Sequence, residues 1–93
     1  MNKLDQIATK IIKEQELIIG PIAWEEARKV KGLNVVDSEK GEVTVENSNT
    51  QVIDMLINQY EHIFGPASKE VCKDAVATLL VDLSPSDIPL SLR

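Results

Sequence analysis

The sequence predicts a mainly α domain with a minor β part, in which about four helices, paired as two helix–Gly-Pro–helix units, flank one short antiparallel β-hairpin. Three observations predict this fold class. Apolar residues recur every three or four positions in both halves of the chain, which is typical of amphipathic helices. Between the halves, the apolar spacing changes to the alternation of β-strands. The two halves also align at a shift of 45 positions, so that Gly20-Pro21 falls on Gly65-Pro66.

The internal repeat covers both Gly-Pro pairs and the apolar stripe of the helix before each pair. Glu25 falls on Glu70 after the pairs, whereas Trp24 has no aromatic counterpart because Lys69 stands at the equivalent position. We therefore interpret the shared features as scaffold and expect specific function where the copies differ. The stripe residues that align are Ile7, Ile11, Ile12 and Ile18 in the first copy and Val52, Leu56, Ile57 and Ile63 in the second.

A chain of 93 residues accommodates one domain. Its 43% apolar content is ordinary for a globular protein, and the core must be aliphatic because Trp24, Tyr60 and Phe64 are the only aromatic residues. We expect one domain over residues 1–93, divided into a helix pair at 2–31, a β-hairpin at 33–46, a second helix pair at 50–83 and a tail at 84–93.

The first helix pair is expected to join helices over 2–19 and 21–31. Gly20 is expected to end the first helix, because glycine adopts the left-handed conformation after a helix without strain. Pro21 then begins the second helix, where its missing N–H costs nothing. Gly65 and Pro66 predict the same corner in the second pair. The second helix is expected to bury Ile22, Ala23, Ala27 and Val30.

Strand-like alternation over 33–36 and 42–46 surrounds a turn-like segment and predicts the hairpin. Val43 and Val45 share one face of the second strand. A lone hairpin is marginal in water, so we expect the helices or another chain to cover these valines. The second helix pair is predicted over 50–64 and 67–83. The tail after it alternates apolar and polar residues, and it either packs on the body or stays loose.

The net charge of −5 is unevenly distributed along the chain. Residues 1–31 carry six basic and five acidic side chains, whereas residues 32–93 carry four basic and ten acidic ones. Such an acidic surface disfavours general binding to nucleic acids and anionic membranes. Cys72 is the only cysteine, so no internal disulfide can form, which is typical of a cytoplasmic protein. We expect no signal peptide and no membrane span.

No catalytic motif, metal site or cofactor is expected. His62 is the only histidine, whereas zinc normally requires several His and Cys ligands. A dyad of His62 and Cys72 would have to meet across the second corner, and Cys72 aligns with Ala27, which favours a small core residue. Basic residues lie among the carboxylates near the first corner and predict surface ion pairs. Those carboxylates are Glu14, Glu16, Glu25 and Glu26.

Trp24 is the side chain that most suggests an interaction. Its place after the first corner suits either a partly buried core residue or an interface anchor, and Trp is enriched at binding hot spots. The absence of an aromatic residue from the second copy favours the interface. We base the interaction prediction on Trp24, the basic Arg28, Lys29 and Lys31, and the hairpin residues Val43 and Val45.

The alternative function is weak nucleic-acid binding through the two corners, in the manner of helix-hairpin-helix motifs. Those motifs present backbone N–H groups of a Gly-rich turn to phosphate. Ile18 and Ile63 replace the first glycine of the usual Gly-x-Gly, which weakens this alternative. The positive charge for it would come from Lys10, Lys13, Arg28, Lys29 and Lys31.

Residues 60–67 read Tyr-Glu-His-Ile-Phe-Gly-Pro-Ala, residues 71–76 read Val-Cys-Lys-Asp-Ala-Val, and residues 17–27 are similar. This pattern resembles the (I/L)-G-P-x-A helix–corner–helix segment near the ends of prokaryotic signalling proteins, beside kinase, cyclase or response-regulator modules. The resemblance implies a regulatory or protein-interaction module without catalysis. We therefore expect a small non-catalytic module of a prokaryotic cytoplasmic protein, which contacts another protein or pairs with itself as a homodimer.

Overall fold

A computed structural model describes residues 3–81 and 83–92. The fold is mainly α with a minor β part, so the predicted fold class is confirmed. Positions 2, 82 and 93 of the predicted elements lie outside the described residues. The elements are, in chain order, helices α1 (Lys3–Ile19) and α2 (Ile22–Ala27), strands β1 (Leu33–Asp37) and β2 (Glu42–Val45), and helices α3 (Thr50–Phe64) and α4 (Ala67–Leu80). Short 3-10 turns lie at Glu46–Ser48, Pro85–Asp87 and Leu90–Leu92.

The long helices α1 and α3 supply most of the apolar core. Helix α3 begins and ends at its predicted residues, and the Asn49 side chain caps it by accepting the Gln51 N–H at 2.9 Å. Buried residues recur at helical spacing on both helices, as an amphipathic stripe requires. They are Leu4, Ile7, Ala8, Ile11 and Ile12 on α1 and Val52, Ile53, Leu56, Ile57 and Tyr60 on α3.

The two Gly-Pro corners share one hydrogen-bond pattern. The N–H of Gly20 donates to the carbonyl of Glu16, and the N–H of Gly65 donates to the carbonyl of Glu61, each at 2.8 Å. In both copies the third residue after the glycine donates back to the glycine carbonyl, at 3.0 and 3.1 Å. The glycines have φ angles of 79° and 92°, which favour glycine over other residues. Gly65 combines its φ with a ψ of 173°, which lies outside the left-handed helical conformation predicted for it.

Replacing either corner glycine by alanine is expected to lower the free energy of unfolding by about 1–2 kcal/mol. No atom lies within 4 Å of a Cβ built at Gly20 or Gly65, so backbone strain acts there without a steric clash. Urea unfolding followed by circular dichroism measures the loss. Asparagine at position 20 is the control, because it adopts positive φ more readily and should cost less. Equal losses for the two Gly20 variants would contradict the strain argument.

The two helix pairs are crossed, since α4 packs against α1 as well as α3, and α2 packs against α3 as well as α1. The Gln15 side-chain amide donates to the carbonyl of Ser68 at 3.2 Å, and the Tyr60 hydroxyl donates to the carbonyl of Ala23 at 2.6 Å. Gln15 and Tyr60 are equivalent in the repeat, as are Ala23 and Ser68. The bonds are therefore reciprocal. They join the start of α4 to the last turns of α1 and the start of α2 to the last turns of α3, which places the two corners close together.

Helix α2 is shorter than predicted, because it ends at Ala27 rather than Lys31. After it, the N–H of Lys29 donates to the carbonyl of Glu26, and Val30 donates to Ala27, each at 3.1 Å. These bonds span three residues instead of four, so the chain tightens into turns. The turns direct residues 28–32 alongside α3.

The hairpin pairs Leu33 with Val45 and Val35 with Val43 in antiparallel register. The register shifts between Val35 and Asp37, so that β1 runs one residue further than predicted, and β2 ends one residue earlier, at Val45. Strand β2 packs against α1 and buries Val43 and Val45 there, as the alternation predicted.

Two polar side chains of α1, four residues apart, fix the hairpin to the helix. Asp5 accepts the backbone N–H of Val45, and Thr9 donates to the carbonyl of Gly41, each at 2.8 Å. Both side chains are buried. These bonds give hydrogen-bond partners to backbone groups that would otherwise be buried without one.

The chain after α4 packs on the body. Helix α4 ends at Leu80 rather than at the predicted 83. The backbone N–H of Ser91 donates to the Asp54 side chain of α3 at 2.8 Å, and Leu92 joins the core, while Leu90 is exposed. None of the helices in the described part of the chain has the length and apolar character needed to cross a bilayer.

Candidate interaction surfaces

Three of the residues predicted to make contacts are core residues. Trp24 is 4% exposed, Val43 is 1% exposed and Val45 is 5% exposed. An interface anchor must be accessible before its partner arrives, so the structure corrects the prediction that these side chains form a contact surface. The hairpin valines are covered by α1 of the same chain.

Trp24 is held in place by a hydrogen bond across the first corner. Its indole N–H donates to Oε2 of Glu16 at 2.9 Å, which satisfies the only polar group of a ring that is otherwise buried. Trp24 is therefore a core residue, which was one of the two alternatives that the sequence left open.

The basic residues Arg28, Lys29 and Lys31 are exposed in the turns after α2. The Lys29 ammonium donates to Oε2 of Glu26 at 2.9 Å, while Oε1 of the same carboxylate accepts from the Gln59 amide at 2.8 Å. The hydrogen bonds from Lys29 and then Gln59 hold the pKa of Glu26 below its usual value. Glu26 therefore anchors residues 28–32 to α3.

The basic residues considered for nucleic-acid binding do not all line the same surface. Lys10 pairs with Glu14 at 3.1 Å and lines a hollow between α1 and α4, whereas Lys29 and Lys31 lie beside α3. At the first corner the N–H groups of Gly20 and Ala23 already donate to backbone carbonyls. This arrangement does not favour phosphate binding at the corner.

Residues 28–32 and helix α3 enclose a groove of about 600 Å³, here called the α3 groove. Its helix side is made of positions 55, 58, 59 and 62, whose spacing places them on one face of α3. A smaller hollow of about 220 Å³ shares Lys31 and Met55 with it and extends it toward Asn47 and Asn49. The lining side chains of the main groove are Lys29, Val30, Lys31, Met55, Asn58, Gln59 and His62.

Exposed apolar side chains surround the two corners. Leu17 is 80% exposed, Ile18 is 63% exposed, and Ile63, which is equivalent to Ile18, is 42% exposed. Ile18, Ile63 and Ile22 had been predicted to face the core, and the structure corrects all three assignments. Leu17 was not singled out from the sequence. We call this set the corner surface: Leu17, Ile18, Pro21, Ile22, Ile63, Pro66 and Ala67.

Cys72 and His62 do not share an environment. Cys72 is fully buried and its sulfur accepts a hydrogen bond from the Gln15 amide at 3.5 Å, whereas His62 is exposed on the α3 groove. Burial raises the pKa of the Cys72 thiol, which opposes formation of the thiolate. Within residues 3–81 and 83–92, no three His, Cys, Asp or Glu side chains converge in a metal-binding arrangement.

Comparison with known proteins gives no relative for this chain, since no family model, curated protein or solved structure matches it.

Proposed function

We propose that this chain is a small non-catalytic regulatory or protein–protein interaction module that works in the cytoplasm. We further propose that it pairs with a second copy of itself through the corner surface. The observation that carries the proposal is the exposure of apolar side chains at both corners, which the bonds of Gln15 and Tyr60 place close together.

Exposure of this kind is costly in water unless a partner covers it. Isolated exposed apolar residues are ordinary, but contiguous apolar patches on a small protein typically mark interaction sites. Leu17, Ile18 and Ile63 belong to adjacent helix ends, because the crossed bonds of Gln15 and Tyr60 join the two corners. These side chains can therefore contribute to one surface.

A second copy is the partner that suits the symmetry and charge of this surface. In a two-fold dimer, the same patch on both subunits must be complementary to itself. Each corner of the chain carries an acidic and a basic residue at equivalent positions of the internal repeat. These are Glu25 and Arg28 at the first corner and Glu70 and Lys73 at the second. A corner of one chain can thus present its acid to the base of a corner in the partner.

Nucleic-acid binding receives less support from the same surface. Its exposed residues are apolar, Glu25 and Glu70 flank them, and the chain as a whole carries a net charge of −5. A phosphate backbone is bound mainly through several clustered cations.

Analytical ultracentrifugation over a range of protein concentrations tests the proposal. We expect the wild type to dimerise, and Leu17→Ser or Ile63→Ser to raise the dissociation constant about tenfold or more, since anchor residues at binding hot spots typically contribute about 2 kcal/mol each. Neither side chain is part of the core, so the variants should remain folded.

Leu90→Ser is the matched control for Leu17→Ser. It makes the same change at a side chain that is 71% exposed. Leu90 precedes Ser91, whose N–H is bonded to Asp54 of α3. Asp54 lies about three helical turns before the second corner. A strictly monomeric wild type, or an equal effect of Leu90→Ser, would exclude self-association through the corners.

A further inference from the structure

We propose that the α3 groove binds an extended peptide segment of a partner protein, with a carboxylate of that segment paired to Lys31. The groove lies along α3 between residues 28–32 and the helix, and it shares no residue with the corner surface. The inference is therefore independent of self-association.

Charge complementarity indicates the chemistry of the ligand. Lys29 already neutralises Glu26, but Lys31 forms no ion pair with any residue in the described part of the chain. Its exposed ammonium lies at the junction of the main groove and the smaller hollow. A protein with a net charge of −5 thus presents an available cation where the groove and the smaller hollow meet. A single carboxylate is the group that this arrangement accommodates.

The remaining lining suits a peptide main chain. Side-chain amides both donate and accept hydrogen bonds, as peptide groups require, and Asn58 is exposed on the helix side of the groove. Met55, which is 41% exposed, supplies apolar contact between the polar groups. Methionine is suited to this because its flexible thioether adapts to different partners.

The length of the groove also fits a short extended segment. The helix rises about 15 Å from Val52, in the smaller hollow, to His62, in the α3 groove, at about 1.5 Å per residue. An extended chain covers that distance with four or five residues. A nucleic acid fits less well, because Lys29 is already paired with Glu26, and a phosphate backbone is bound mainly through several clustered cations.

The test is an NMR titration of the ¹⁵N-labelled full chain with mixtures of end-blocked pentapeptides that carry a central glutamate between randomised positions. We expect amide shifts at residues 29–32 and along α3 at millimolar peptide. Mixtures with central glutamine or lysine should produce weaker shifts. Lys31→Gln should weaken binding of the glutamate mixture about fivefold, as expected for an exposed ion pair.

Lys40→Gln is the matched control, because it makes the same change at an exposed lysine in the hairpin turn. It should leave binding unchanged. Dilution of the protein alone reports self-association at the corners, so failure of one proposal is distinguishable from failure of the other. Three results would overturn the groove proposal: no shifts, equal shifts with glutamate and glutamine mixtures, or groove shifts only with a short single-stranded DNA.

Discussion

Trp24→Ala is expected to lower the free energy of unfolding by about 3–5 kcal/mol, the usual cost of removing a buried aromatic side chain. Trp24 is 4% exposed and belongs to the core cluster, so its removal leaves a cavity between α2 and its neighbours. A domain of this size has a total stability of about 5–15 kcal/mol, so the variant should be close to unfolding at room temperature. Urea unfolding followed by circular dichroism measures the change without relying on tryptophan fluorescence.

Two further variants separate the contributions of Trp24. Trp24→Phe keeps most of the apolar contact but removes the N–H that donates to Glu16, so we expect a loss of about 1 kcal/mol. Leu17→Ala, at an 80% exposed site, should change stability by about 0.5 kcal/mol or less. If Trp24→Ala instead kept full stability and abolished dimerisation, Trp24 would be the interface anchor that the sequence suggested.

The contrast between α3 and α2 explains how much of the fold was predictable. The ends of α3 were predicted correctly because both signals are local: Asn49 caps the first turn, and Gly65 ends the last. The end of α2 has no comparable local signal. Its last carbonyls are taken by three-residue bonds from Lys29 and Val30, and this tightening accompanies the packing of Val30 in the core. That contact is tertiary, so the sequence pattern extended the helix too far.

The candidate surfaces were harder to predict than the core. The periodicity of apolar residues assigned Ile18 and Ile63 to the apolar stripe, but it indicates only on which face of the helix a side chain lies. It does not show how far along the helix the neighbouring elements extend, and they do not cover these two side chains. Similarly, a tryptophan is suited to a core and to an interface, so the sequence does not decide between them. The hydrogen bond from Trp24 to Glu16, which joins residues eight positions apart, is shown only by the structure. Lys29 and Lys31 were among the residues predicted from the sequence to make contacts, whereas the face of α3 that lies opposite them was not.

Tyr60→Ala is expected to lower the free energy of unfolding by about 3–5 kcal/mol and to loosen the two helix pairs from each other. Tyr60 is fully buried, and its hydroxyl bonds the carbonyl of Ala23 in the other half of the repeat. Tyr60→Phe keeps the ring and removes only this bond, so we expect a loss of about 1–2 kcal/mol. At the equivalent position, Gln15→Met removes the reciprocal bond to Ser68 and should cost about 1 kcal/mol. A negligible effect of both conservative variants would show that the crossed bonds contribute little.

The pH dependence of stability provides a second measurement at Tyr60. Burial raises the pKa of the phenol well above its ordinary value of 10.0, so the folded protein keeps the proton that the unfolded chain releases. The contribution of Tyr60 is therefore complete below about pH 10 and is lost as the pH rises toward the folded pKa, by about 1 kcal/mol at pH 11. Lysine deprotonation affects wild type and Tyr60→Phe alike, so it cancels in their comparison. We expect the stability of wild type to fall more steeply than that of Tyr60→Phe between about pH 9 and pH 11. Parallel curves would mean that Tyr60 titrates as it does in the unfolded chain, which is incompatible with a phenol enclosed between the two halves of the repeat.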